Sequence, residues 1–249
     1  MTDVFTLDTY RGYLRLAKDL GYSFGLFPDW LAGSGEGELT LLIRHDVDYS
    51  AAHVPAMSAA ENEQGARTTY CLQTDSPYYS CSAPETKEAV RSLLADGHSL
   101  ALHFDATQIP IDAQVVDLVT AAAEKLEHEF GYRIEVVSFH MPGRRPVGNL
   151  VLARGLINTY APTFFDQLQY VSDSNQSWRG SDLEKILTAR SGKAIQLLVH
   201  PIWWQSRPAR MLTRLRALAD EIGVPVESIL TDEQRQLLTS HEADSLERT

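Results

Sequence analysis

Leu41-Leu42-Ile43-Arg44-His45-Asp46-Val47-Asp48 passes from an aliphatic block into two carboxylates spaced two residues apart. A short apolar run bounded by polar residues is the pattern of a buried strand, which we place at residues 39–47. Successive side chains of a strand alternate between its faces, so Asp46 and Asp48 leave the C-terminal end in the same direction. Two carboxylates held side by side repel unless a cation or a shared proton relieves them. Asp48 has a plainer role open to it, capping a helix that starts near Ala51.

Outward from this stretch the pattern recurs. Further strands are expected at residues 67–73, 99–104, 134–139, 157–161 and 194–200. Amphipathic segments fall between them at 51–64, 84–95, 111–130 and 181–191. In the third of these, Val115, Leu118, Val119, Ala122, Leu126 and Phe130 keep helical spacing, and Gly131 follows where a left-handed cap belongs. Strands separated by helical crossovers imply a parallel sheet or barrel. One more helix is expected at residues 7–20, ended by Gly21, and another at 207–222. The polar tail after Leu237 is expected to fray. The simplest organisation is one domain, residues 1–249, with a barrel over about 39–204.

The formal net charge of -11 argues against nucleic acid and anionic membranes, both of which need a basic surface. The first ten residues carry no basic stretch followed by an apolar block, and no apolar run reaches the ~20 residues a bilayer requires. The expected location is therefore the cytoplasm. Cys71 and Cys81 are spaced neither for zinc nor as a disulfide framework, and Cys71 sits in an apolar run as a small core residue.

In α/β barrels the chemistry gathers at the C-terminal ends of the strands. Four further clusters accompany the Asp46/Asp48 pair. Gly97-His98-Ser99-Leu100-Ala101-Leu102-His103-Phe104-Asp105 begins a strand at His98 and ends it at His103. Ser138-Phe139-His140-Met141-Pro142-Gly143 ends a strand at His140. Asp173-Ser174-Asn175, with Trp178 and Arg179 beyond, has by itself the look of an ordinary polar turn. Leu197-Leu198-Val199-His200-Pro201-Ile202-Trp203-Trp204 closes a buried strand beside two tryptophans. Taken singly, a histidine that ends a strand is more often structural than functional. Imidazoles together with carboxylates, however, suit zinc or another first-row divalent ion.

With its five clusters in this order, the sequence resembles the polysaccharide deacetylase superfamily, the family-four carbohydrate esterases, and within it a branch whose first motif reads His-Asp-Val-Asp. The resemblance spans about residues 39–204. It implies an α/β fold, a distorted (β/α) barrel of about seven parallel strands, with a divalent metal, zinc before cobalt, nickel or manganese. It implies Asp46 as catalytic base, Asp48 and His103 as metal ligands and His200 as general acid. Two departures stand out. The second histidine of motif two would fall at Thr107, so His140 is expected to complete the metal site, ahead of Asp105. The arginine that pairs with the base in motif three is replaced by His140, and Arg44 is expected to face away from Asp46.

The activity implied is metal-assisted hydrolysis of an N-acetyl amide on a sugar or sugar-containing biosynthetic intermediate. Tyr78, Tyr79, Asp173, Asn175, Trp203 and Trp204 are expected around the substrate, the aromatics as stacking surfaces or as plain core. A ureide or cyclic-amide hydrolase on the same barrel, or an inactive carbohydrate-binding homologue, are the other classes compatible with these motifs.

Overall fold

The computed structural model describes residues 4–33 and 39–237. The strands are β1 Ser23–Gly25, β2 Thr40–Val47, β3 Thr69–Leu72, β4 Ser99–Asp105, β5 Val136–His140, β6 Ile157–Asn158, β7 Gln169–Ser172 and β8 Ile195–Val199. The helices are α1 Leu7–Asp19, α2 Phe27–Leu31, α3 Val54–Asn62, α4 Pro84–Ala95, α5 Ala113–Phe130, α6 Pro162–Phe165, α7 Leu183–Ala189 and α8 Met211–Ile222. The polar tail after Leu237 lies outside the described residues.

Every strand pairing is parallel. The main path runs β6-β5-β4-β3-β2-β8-β7, seven strands forming a half-barrel that stays open between β6 and β7. The short β1 adds to the first half of β2, on the side where β3 takes over further along. β2 is therefore the best-paired strand, and all eight of its residues are buried. Among the described residues no helix is long and apolar enough to cross a membrane.

Alternation sorts the side chains into two layers. Leu41, Ile43 and Val47 of β2 join the large outer core under the helices. Leu42, Cys71, Ala101 and Val136 form a smaller inner core, plugged by Phe27 of α2 and Phe164 of α6. This apolar plug fills the N-terminal end of the half-barrel. Further along the same inward rows come Arg44 and Asp46 of β2, His103 of β4, Ser138 and His140 of β5, and Leu198 of β8. The apolar floor thus excludes water from below, and the ionisable groups are left at the C-terminal mouth.

The helices begin and end where local chemistry dictates. Asp112 caps α5 by accepting from the Gln114 N–H, and Gly131 ends it at φ 62° in the left-handed conformation. Gly148 has a different task. Its missing Cβ would lie 2.5 Å from the Tyr160 carbonyl oxygen, so only glycine lets the 147–149 turn sit against that strand exit.

Candidate metal and acid–base centre

Asp48, just past the end of β2, meets His103 of β4 and His140 of β5. Asp48 Oδ1 lies 2.9 Å from His103 Nε2 and 2.9 Å from His140 Nδ1, and the two ring nitrogens are 3.2 Å apart. Ligands of a tetrahedral zinc with bonds of ~2.0–2.1 Å stand about 3.3 Å from one another. The three atoms are a few tenths of an ångström tighter than that, and a divalent cation would engage all three lone pairs at once. Among the described residues this is the one cluster of histidine, cysteine and carboxylate side chains with metal-holding spacing. The donor set fits a first-row divalent ion.

The other candidates for the third position are otherwise engaged. Asp105 accepts from the backbone N–H of Thr107 at 2.8 Å and from its hydroxyl at 2.7 Å, closing a local turn. Strand alternation brings His140 inward, and no helical turn is needed to supply the second histidine. His98 faces the outer core, where its Nδ1 accepts from the Thr68 N–H and its Nε2 approaches Asn62.

Electrostatics inside the triad are strongly coupled. Burial works to raise the Asp48 carboxyl, but His140 and His103 beside it hold it well below the usual carboxylate range. Burial works to lower His140, and the facing Asp48 outweighs it, leaving the imidazole raised.

Asp46 lies deeper, 2% exposed, one inward position before Asp48. Its Oδ2 accepts from the Ser138 hydroxyl at 3.1 Å and pairs with Arg44 Nη2 at 3.5 Å. Its Oδ1 is buried with no hydrogen-bond partner among the described residues. Arg44 therefore does not face away: residues two apart on a strand share a face, and Arg44 stands directly below Asp46. Fully buried, it also donates to Tyr160 OH at 2.7 Å and to Thr159 Oγ1, with Gln196 Oε1 at 3.4 Å. β2 itself thus supplies an arginine beside Asp46. Alternation applied to residues 44 and 46 contained that signal.

His200 follows β8. Its Nδ1 is 2.5 Å from Asp173 Oδ1, and its backbone N–H also reaches that carboxylate. Its Nε2 is 3.7 Å from Asp48 Oδ2. Burial works to lower the imidazole, but Asp173 prevails and raises it to about 9. The buried Asp173 carboxylate thus favours the charged form of the ring.

Asp173 differs from its expected place. It is completely buried beneath His200, where it also accepts from the Trp204 indole N–H at 2.7 Å, and it does not line the central cavity. Trp204 is likewise core, packed on Phe5, Tyr10 and Trp178. Tyr78 packs on Tyr49, and Tyr79 donates to the Val47 carbonyl. Neither tyrosine lines the central cavity. Asn175 and Trp203 do, although Trp203 is almost wholly buried. The His-Pro-Ile-Trp-Trp run forms an internal brace behind His200.

The cavity over these groups measures about 360 Å³ and takes in Asp46, Asp48, His103, His140 and His200. Met141 stands at its rim with φ 42°, a conformation that side-chain-bearing residues seldom adopt and that clusters at functional sites.

No family model matches this sequence, and no curated protein matches it. Solved structures similar to the chain include a Streptococcus pyogenes deacetylase, PplD, in complex with acetate: 14% identity, 81% of this chain and 84% of that chain covered, TM-score 0.47. The peptidoglycan deacetylase PdaC from Bacillus subtilis is similar at 13% identity, covering 86% of this chain and 98% of that chain, TM-score 0.47. The chitin deacetylase of the fungal pathogen Colletotrichum lindemuthianum is similar at 13% identity over 74% of this chain and 82% of that chain, TM-score 0.44.

Proposed function

We propose that this protein is a divalent-metal-dependent amide hydrolase of the polysaccharide-deacetylase type, removing the acetyl group from an acetamido sugar or sugar-containing intermediate. One geometric observation carries the proposal: a carboxylate with an unpartnered oxygen, Asp46, and an imidazole braced by a buried carboxylate, His200, flank three side chains of metal-holding spacing in one cavity. Amide hydrolysis needs a base for the attacking water and an acid for the departing amine.

Asp48, His103 and His140 would hold a divalent cation, which when bound would supply Lewis acidity toward the acyl oxygen and the attacking water. Asp46 takes the proton from that water through Oδ1, while Ser138 and Arg44 keep Oδ2 engaged and fix the carboxylate plane. His200 delivers its proton to the amine nitrogen as the carbon–nitrogen bond breaks, and Asp173 orients the ring and keeps it charged. The low-dielectric floor strengthens each of these interactions.

The test is acetate release from a panel of acetamido sugars and simple acetamides by the zinc-loaded protein. His200→Ala and Asp46→Asn are each expected to lower kcat by roughly 10²–10⁴-fold. Near-wild-type turnover by either variant removes that residue from the mechanism, and a wild type that releases no acetate from any member ends the proposal.

A further inference from the structure

Arg44 holds two oxygens with one nitrogen. Its Nη2 donates to Tyr160 OH at 2.7 Å and lies 3.5 Å from Asp46 Oδ2, so the phenol and the base carboxylate sit side by side on a single guanidinium. Tyr160 and Asp46 both line the central cavity. Tyr160 belongs to none of the five motif clusters. It follows β6, the neighbour of the strand that ends at His140.

The phenol oxygen accepts from Arg44, and its own hydrogen reaches no acceptor among the described residues. A phenol is neutral at pH 7, and burial moves this one further up against the opposing pull of Arg44, so the hydrogen stays in place. Linked hydrogen bonds polarise one another: a guanidinium that donates to the oxygen sharpens the O–H as a donor. The ring is also packed in position. Phe165 stacks on it with centroids 5.3 Å apart, and Phe139 meets it edge-on at 6.4 Å.

A fixed, neutral donor beside a base calls for an acceptor in the same small space. As Asp46 takes a proton from the attacking water, negative charge collects on the acyl oxygen, and a donor already in place is worth most at the atom where charge develops. The amide nitrogen is a poor acceptor, because its lone pair is shared with the carbonyl. Resting on the deacetylase reading, we propose that Tyr160 is a catalytic residue that donates its phenolic hydrogen to the acyl oxygen and stabilises the oxyanion formed when water adds.

The experiment sets Tyr160→Phe, which lacks one oxygen, against wild type, both zinc-loaded. With methyl 2-acetamido-2-deoxy-β-glucopyranoside, kcat should fall about 10²-fold while KM stays within about threefold. A second readout needs no turnover. Acetohydroxamate, which presents a carbonyl and an anionic oxygen, should bind the variant about tenfold more weakly by calorimetry. Unchanged kcat, or a loss carried by KM alone, overturns the proposal; so does unchanged hydroxamate binding, which would reduce Tyr160 to a support for Arg44. Should Tyr160→Phe fail to fold, 3-fluorotyrosine at position 160 keeps the Arg44 contact and strengthens the donor. It should then bind acetohydroxamate more tightly than wild type, and equal or weaker binding overturns the proposal. If wild type releases no acetate, the hydrolase reading falls and the hydroxamate alone judges the donor: weakened binding in Tyr160→Phe upholds it, and absent or unweakened binding overturns it.

Discussion

Asp173 is fully buried and gives its two oxygens to the imidazole and backbone N–H of His200 and to the Trp204 indole. That pairing sets the titration of His200. The raised value of about 9 means that its contribution to stability is complete below the ordinary histidine value of 6.5 and is lost as pH climbs through 9. A reaction that uses the imidazolium should lose kcat over the same alkaline range. Asp173→Asn removes the largest raising influence and leaves burial, so the alkaline limb of the kcat profile should move down toward or below 6.5. A limb that stays near 9 would detach Asp173 from the behaviour of His200. At this scale the sequence was partly legible. Asp46, Asp48, His103, His140 and His200 are strand-end residues on one face, which alternation anticipates, and they do meet. Asp173 was hidden because a carboxylate in a polar turn looks solvent-facing until the partner strand is known. Trp203 and Trp204 stayed open between two readings, since aromatic residues beside a site and aromatic residues in a core have the same local pattern; Trp203 lines the cavity and Trp204 does not.

Between elements, Glu61 of α3 joins two helices to the sheet. Wholly buried, it accepts from Tyr10 OH of α1 at 2.6 Å, from Tyr70 OH of β3 at 2.7 Å and from the Thr68 hydroxyl at 2.9 Å, and it meets His45 Nε2 of β2 at 2.6 Å. Burial works to raise this carboxyl, but His45 and its other neighbours hold it below its ordinary value of 4.5. Its contribution is therefore present above 4.5 and lost as pH falls further. Glu61→Gln, which turns a donor toward donors, should cost about 3–5 kcal/mol in urea unfolding at pH 7. The deficit should shrink in acid below 4.5, and a pH-independent deficit would show that the charge is not what matters. Six strands and six helices were visible as periodic segments. β1, β7, α2 and α6 were not, being three to five residues long, too short for an apolar pattern to repeat. Their stability comes from sheet edges and the inner plug, which are tertiary facts.

For the molecule as a whole, a cation that binds only the folded chain stabilises it by mass action. At zinc one hundred times its dissociation constant the gain should be about 2.7 kcal/mol, seen as a melting temperature that climbs with zinc concentration. His140→Ala should abolish that climb, and a zinc-dependent melt that survives the substitution would place the ion elsewhere. The order of strands was the least legible feature, because parallel crossovers constrain handedness and leave the choice of neighbour to long-range packing. That choice has an effect during synthesis. β2 is made well before β8, the last of the described strands, yet β8 covers one of its flanks. Until the ribosome has passed Val199, the middle of the sheet presents a bare, apolar edge of the kind that templates aggregation. A nascent chain of this protein is thus a natural client for chaperones that bind extended hydrophobic segments, and truncation ahead of Ile195 should yield inclusion bodies in place of a smaller folded unit.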